Sequence, residues 1–527
     1  MNFLFKKFFE KPIFILLAVN LIVGLFIFRD FGYSWDEPLF YDYGNALGYA
    51  YSPHEWFSGH FDVANSYGAS GDDHKTRGPA YLLLSREPVY LLEIFGLDQA
   101  SAWHLINFLF FQLGVYFLYR LSTRWMKTYA ALAASTLFAW QPMLWGHAFI
   151  NPKDPPFLTF FLASICLGFE MVDRLIENNK PRFSIIIFPA IILGITTSIR
   201  VLGPLAGLLV FIYFAFTVFQ NKHLRVSVSP WLAFFTYGII AIVVMFLTWP
   251  YLWESPMTRF VDVFRFMSDN PTNLSVLFGG QVFRASELPR RYLPFLLATT
   301  LTEPVWILFI VGVITGYWKL VTNYSTQRTN KLITITLTLS WFLILFAYVL
   351  IRKPAMYDGI RHFLFIIPPI FIFTGFAFEF LMERIVTWWL SAILVFLIVL
   401  PGIVGIAQLH PYEYTYYNSF VGGTQNAFRK YETDYWLTCY KQAVEELNAI
   451  YDPINLYVHR EAYIADYYAN DNISVHDLRG ATSEVQSGDY ILVNTRTNED
   501  RRILKDVSPL IQIRRGNALF CTIKRVP

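Results

Sequence analysis

Charge is what this 527-residue sequence has least of: Asp, Glu, Lys and Arg make up 15% of it, against about 25% in a soluble globular protein. With so little polar surface available, a soluble enzyme, a disordered chain and a coiled coil are all excluded. No excess of one sign is present either. The 42 basic and 39 acidic side chains leave +3, too even a balance for a nucleic-acid-binding protein. Cysteine is scarce. Cys166, Cys439 and Cys521 stand far apart without metal-ligand spacing, so neither a disulfide framework nor a zinc site is expected. There is no internal repeat and no low-complexity segment. What is abundant is apolar: 55% hydrophobic residues, 51 Phe, 32 Tyr and a mean hydropathy of +0.39. This is a membrane protein.

A span needs about 20 mostly apolar residues, because backbone polar groups cannot be left unsatisfied in lipid. About eleven segments qualify by that criterion: 12–29, 101–119, 129–147, 157–172, 183–199, 201–219, 231–249, 293–317, 332–351, 361–381 and 387–408. The first is flanked by Lys6, Lys7 and Lys11 like a signal peptide, but Phe28, Arg29 and Asp30 follow where a small-residue cleavage site would stand. It reads as an uncleaved first span. Basic residues then set the orientation. With a cytoplasmic N-terminus, the cytoplasmic loops hold Arg120, Arg124, Lys127, Arg174, Lys180, Arg182, Lys222, Arg225, Lys319, Arg328 and Lys331. The long pieces 30–100, 250–292 and 409–527 all face outside. The expected organisation is a transmembrane module over 1–410, a connector over 411–430 and an external soluble domain over 431–527.

That last stretch reads as a small α/β domain. Trp436, Ala443 and Leu447 repeat at helical spacing across Asp434–Ile450. Apolar runs follow at Ile454–Val458, Tyr490–Val493, Leu510–Ile513 and Ala518–Ile523, the last two flanking a hairpin turn at Arg515-Gly516-Asn517. The domain carries no phosphate-binding glycine pattern. A cap or acceptor-docking role is the plain expectation for it.

Charges near a membrane are costly and need a reason. Loop one opens directly after the first span with Tyr33-Ser34-Trp35-Asp36-Glu37-Pro38. The second external loop reads Asn151-Pro152-Lys153-Asp154-Pro155-Pro156. Arg200 stands at the junction of the fifth and sixth spans, and Arg352, Lys353, Tyr357, Asp358, Arg361 and His362 lie between the ninth and tenth. Carboxylates and cations from separate loops therefore gather at one membrane face. Each has a plainer reading. Asp36 and Asp154 could cap helices, Arg200 could snorkel, and Arg361-His362 could be an ordinary flank. His54, His60 and His74 with Asp72 and Asp73 match no tight metal-ligand spacing.

Transfer of a sugar from a polyprenyl phosphate to a hydroxyl wants this arrangement. The acceptor needs a general base, which one carboxylate supplies. The leaving group is a phosphate, whose low pKa removes the need for a general acid, and cations or a metal hold its charge. The two carboxylates required for glycoside hydrolysis are unnecessary.

At these residues the sequence resembles the GT-C superfamily of integral membrane glycosyltransferases, which use polyprenyl-phosphate sugars. The resemblance rests on Asp36-Glu37 after the first span, the acidic-proline loop at Asp154, Ser198-Ile199-Arg200, and Arg361-His362 followed by Pro368-Pro369. The nearest branch is the protein O-mannosyltransferase and lipid A aminoarabinose transferase group. Tyr416–Gly423 and Glu432-Thr433-Asp434-Tyr435-Trp436 look like a bacterial subgroup of it. The resemblance covers roughly 10–440. It implies Asp36 as catalytic base, with Glu37 as its partner, orienting the base or binding acceptor. Asp154 matches a residue that in some relatives helps bind a metal or acceptor. Arg200 and Arg361 match positions that meet lipid phosphate, and Lys153 and His362 are added to them. A divalent metal is allowed but not required. One departure stands out. The mannosyltransferases carry a His-Pro-Pro-Leu-Gly-Lys-like stretch later in loop one, and the nearest pieces here are His74–Pro79 and Arg86-Glu87-Pro88. The acceptor class, whether protein, lipid or glycan, stays open.

The expectation is thus a polytopic α-helical GT-C-like hexosyl- or pentosyltransferase, inverting, at the outer face of a bacterial inner or plasma membrane. Its partners would be a polyprenyl-phosphate sugar, an acceptor and the membrane, with no nucleic acid. The rival is a polytopic transporter or lipid flippase, which tends to show repeated halves and midplane polar groups. A membrane scaffold presenting its tail domain is a second rival.

Overall fold

A computed structural model describes residues 12–177, 183–221, 228–268, 272–322, 328–385, 387–450 and 452–527. Lys6, Lys7, Lys11, Lys180, Arg182, Lys222 and Arg225, used above for orientation, lie outside the described residues.

Proline decides where the apolar runs break. The run 129–147 is two helices, Thr128–Ala139 and Pro142–Ile150. Pro142 has no N–H to continue the ladder and pushes Gln141 into an extended conformation. The Gln141 side chain satisfies what the break frees, donating to the Leu137 carbonyl at 2.9 Å. The run 293–317 breaks in the same way into Tyr292–Thr300 and Pro304–Thr322. The two breaks meet, because Thr302 N–H donates to Gln141 Oε1 and Gln141 Nε2 donates to Thr302 Oγ1, each at 3.0 Å. The run 361–381 opens as a 3-10 turn over Arg361–Ile366 and becomes helical at Pro368–Met382.

Among the described residues, six helices are long and apolar enough to cross a membrane: Gln99–Ser122, Asp154–Ile176, Val228–Leu247, Pro304–Thr322, Arg328–Arg352 and Trp388–Leu409. Five shorter apolar helices accompany them, at Ile13–Ile27, Thr128–Ala139, Ser184–Ile199, Pro204–Gln220 and Pro368–Met382. They divide by environment. The helix Asp154–Glu177 is the centre, packed by Gln99–Ser122, Ser184–Ile199 and Pro204–Gln220. Val228–Leu247, Pro304–Thr322 and Trp388–Leu409 are peripheral, and expose Phe235, Ile242, Ile307, Ile314 and Trp388. Large apolar side chains turned outward on long apolar helices are lipid-facing. The protein is an integral membrane protein.

A five-stranded sheet closes the chain. Its strands are β3 (Ile454–Val458), β4 (Ile473–Asp477), β5 (Tyr490–Asn494), β6 (Pro509–Arg515) and β7 (Ala518–Arg525), after a small hairpin of β1 (Ser275–Phe278) and β2 (Gln281–Arg284) in the 250–292 piece. The order is β4-β3-β5-β7-β6, parallel across β4-β3-β5 and antiparallel beyond. Strand β4 and the helix Ala462–Tyr468 were not expected; β4 is a short edge strand reading Ile-Ser-Val-His-Asp. The helix expected from Asp434 starts at Cys439, because the Asp434 carboxylate takes the backbone N–H groups of Thr438 and Cys439.

One expectation is corrected. Cys439 and Cys521 form a disulfide, with Cα atoms 6.1 Å apart. The partners are 82 residues apart, so no local spacing announces them. The sheet brings β7 against the helix Cys439–Leu447. Cys166 is free and buried.

Candidate active site

Loop one is fastened before it presents any charge. Ser34 Oγ donates to the Ile150 carbonyl at 3.0 Å. Glu37 is fully buried and accepts from Ser34 N–H at 2.6 Å, which closes the turn that leads into the helix. It also accepts from the Tyr41 hydroxyl and lies 3.0 Å from His104 Nε2. Glu37 is thereby committed to holding the loop. Asp36 stands at the N-cap of the helix Glu37–Ala50 but makes no side-chain capping bond. Its carboxylate accepts instead from Arg361 Nη1 at 2.8 Å.

The second loop arrives through Asn151, whose Oδ1 takes the backbone N–H groups of Lys153 and Asp154 at 3.1 and 2.9 Å. Asn151 Nδ2 donates to Asp154 Oδ2 at 3.0 Å. The other oxygen of Asp154 pairs with Arg200, which leaves the helix Ser184–Ile199 in extended conformation. Arg361 Nη1 also lies 3.9 Å from Asp154 Oδ2. Arg361 therefore stands between the two carboxylates. Their exposures differ in a way that assigns roles: the Asp36 side chain is 19% exposed and that of Asp154 only 2%. Of the two carboxylates, only that of Asp36 is partly open to solvent.

Other cations close round. Gly78 presses so tightly on the Ser198 carbonyl that a Cβ there would collide with it, which brings Arg77 up to the Arg200 junction. Lys153 Nζ lies 5.6 Å from the centre of the Phe40 ring. His362 follows Arg361 and packs edge-on against Tyr357, with ring centres 4.8 Å apart. The Nε–H groups of Arg200 and Arg361 are buried and donate to nothing among the described residues. Two guanidinium groups thus keep donors free for oxygen atoms. Burial raises the Asp36 carboxyl, but Arg361, Arg77 and His74 together outweigh it and leave it below the usual carboxylate value. Burial, helped by Arg77, pushes His74 down to about 4. Burial, with Arg77 and Arg200, pushes the Lys153 ammonium well down.

No protein-family model matches the chain, and no curated protein matches it by sequence. Solved structures do. The archaeal oligosaccharyltransferase AglB from Archaeoglobus fulgidus, in complex with an inhibitory peptide and a dolichol-phosphate, aligns over 93% of this chain and 70% of its own, at 11% identity and a TM-score of 0.50. The apo form of the Archaeoglobus fulgidus oligosaccharyltransferase aligns over the same shares at 12% identity and a TM-score of 0.52. Arabinofuranosyltransferase AftD from Mycobacteria aligns over 97% of this chain and 41% of its own, at 12% identity and a TM-score of 0.45. The chain shares its fold with the Archaeoglobus fulgidus oligosaccharyltransferase.

A divalent cation, allowed by the sequence reading, would have to be held at Asp154 and the neighbouring Asp36 carboxylate. The Arg361 guanidinium lies between them, and no group of three or more His, Cys, Asp or Glu among the described residues could hold a metal ion. With a guanidinium between them, this donor set does not fit such a cation.

Sequence reasoning missed several members of the cluster. Asp358 and Trp436 were noted without a role, yet Trp436 stacks 4.9 Å from the Arg361 guanidinium and donates from Nε1 to Asp358 Oδ2 at 3.2 Å. Arg77 was noted only as part of a divergent motif. Arg496, in the C-terminal domain, was missed altogether; Asn494-Thr495-Arg496-Thr497 reads as an ordinary polar loop, but all four residues are buried.

Proposed function

We propose that the protein is a glycosyltransferase that moves a sugar from a polyprenyl-phosphate donor to an acceptor hydroxyl at the external membrane face, with inversion. The observation that carries this reading is Arg361 seated between Asp36 and Asp154, with Arg200 paired to Asp154. Four separate loops supply these groups. The acceptor O–H proton passes to the Asp36 carboxylate, the oxygen attacks the anomeric carbon from the opposite side, and the anomeric C–O bond to phosphate breaks. The departing phosphate takes the electron pair, and the free N–H groups of Arg200 and Arg361, with Lys153, meet its charge. Glu37 holds the loop that carries the base, Asp154 fixes Arg200, and His362 flanks Arg361. Dolichol-phosphate bound to the archaeal oligosaccharyltransferase supports a lipid-phosphate donor in kind.

The orientation, with residues 431–527 outside, rests on the basic residues of the short loops. The disulfide supports an oxidising compartment for that domain. The deciding experiment measures release of polyprenyl phosphate from a labelled panel of polyprenyl-phosphate sugars, with a crude membrane and glycan acceptor mixture. Wild type should release it, and Asp36→Asn should lose roughly 100-fold or more. Equal release by both removes Asp36 as base. Transport of a donor unaffected by Asp36→Asn, with no release, would favour the flippase reading.

A further inference from the structure

The C-terminal domain reaches into the site by a route that the reading above does not use. Arg496 lies just past β5 and is 1% exposed. Its Nη1 donates to the Tyr435 carbonyl at 3.0 Å, its Nη2 lies 2.7 Å from Asp358 Oδ1, and its guanidinium stacks 4.4 Å from the Trp35 ring centre. Asp358 is fully buried, in a left-handed turn with Gly359 (φ +57 and +69), a conformation that Asp tolerates better than most residues. That turn aims both its oxygens inward. One faces Arg496; the other faces Arg361 Nη2 at 2.9 Å and takes the Trp436 Nε1–H. Arg361 in turn holds Asp36. The backbone beside Asp36 is gripped by the same domain: Tyr463 donates to the Trp35 carbonyl at 2.6 Å and Tyr468 accepts from Tyr33 N–H at 3.0 Å.

We propose that Arg496 is a positioning residue for sugar transfer: by sharing Asp358 with Arg361, it sets where Arg361 stands relative to Asp36, so the C-terminal domain completes the site. This rests on the transferase reading. One buried carboxylate divided between two guanidinium groups pulls less on either than it would on one alone. Remove Arg496, and Asp358 draws Arg361 toward itself and away from Asp36. Asp36 is faced by Arg361, Arg77 and His74, with Lys153, Arg200 and the Tyr463 phenol further out. Weakening the Arg361 contact raises its proton affinity.

The test uses the full-length protein, the donor that wild type turns over, and kcat followed against pH. Arg496→Gln should lose roughly 100-fold in kcat, the scale of a small misplacement of a catalytic group, with its acid limb moved up by about one pH unit. Arg496→Lys, which keeps the charge, should recover most of the rate. Asp358→Asn should move the limb the other way, since Arg361 then closes on Asp36. Arg429→Gln is the control. Arg429 pairs with Asp500 at 2.6 and 2.7 Å and ties down the same domain without touching Asp358, so its loss should leave the limb in place. Unmoved limbs in both Arg496→Gln and Asp358→Asn, or equal shifts in Arg429→Gln, overturn the proposal and leave the transferase reading standing. No release by wild type from any donor overturns both.

Discussion

The two ends of the central helix Asp154–Glu177 use the same residue types to opposite effect. Near its C-terminal end, ion pairs tie helices to one another: Arg120 with Glu170, Arg124 with Asp173, and on neighbouring helices Lys319 with Glu379 and Lys127 with Glu383. Arg124 also donates to the Tyr213 hydroxyl at 2.9 Å and to Thr334 Oγ1 at 3.3 Å, so one side chain fastens several helices. At the N-terminal end, Arg77, Arg200, Arg361 and Arg496 crowd round Asp36, Asp154 and Asp358, with Glu432 Oε1 3.5 Å from Arg496 Nε. Burial pushes the Glu432 carboxyl up, against the pull of Arg496. Matched charges hold helices together. Surplus positive charge, buried and with N–H donors unspent, is what a phosphate group would neutralise.

The largest effect that would break this comparison is at Arg361. Arg361→Met should lower single-turnover release of polyprenyl phosphate by roughly 1,000-fold, the upper range for removing a charge-stabilising donor. Arg361→Lys should recover only a small part of it, because an ammonium cannot reproduce a planar fork that meets Asp36 and Asp358 at once. Wild-type rates in Arg361→Met would show that the surplus charge at this end has no part in turnover.

Much of that site was legible from the sequence because its logic is chemical and local. Asp36, Asp154, Arg200 and Arg361 are charges next to long apolar runs, and the cost of placing them there makes each conspicuous. The helical segments were legible for the same reason, although Pro142 and Pro304 break two of them within expected spans. Arg496 and the Cys439–Cys521 disulfide were not legible. Both depend on where β5 and β7 land against the residue 432–439 segment, a long-range arrangement that no window of sequence contains. Glu37 shows an intermediate case. Its closeness to Asp36 suggested a second working carboxylate, and only the buried contacts to Ser34, Tyr41 and His104 show that its oxygens are already spent.

A smaller effect is expected at the matched end. Arg124→Met leaves Asp173 without its guanidinium and releases Tyr213 and Thr334. The side chains are 15% and 29% exposed, so the cost should be roughly 2 kcal/mol, between a surface pair and a buried one. Thermal unfolding of the purified protein should show that loss, while release per folded molecule stays within about twofold of wild type. A rate defect as large as that of Arg361→Met would mean that the two ends are not separate in function.

The smallest effect is a dependence on pH that only the site end should show. His74 is 3% exposed, and protonating it would add charge to a cluster that already has too much. Burial first, and Arg77 second, hold it at about 4 against an ordinary 6.5. Between those values the unfolded chain binds a proton at this position and the folded chain does not, so stability falls as pH drops from about 6.5 towards 4. Below that both states are protonated and this contribution is fully lost. Asp36 adds a separate loss at still lower pH, since its depressed carboxyl stabilises the fold only while ionised. His74→Gln should therefore be less destabilised than wild type on moving from neutral pH to pH of about 5, with the difference gone on return to neutral. Thermal unfolding of both proteins across that range checks it. Parallel pH dependence in the two would mean that the surplus charge round Asp36 does not oppose protonation of His74.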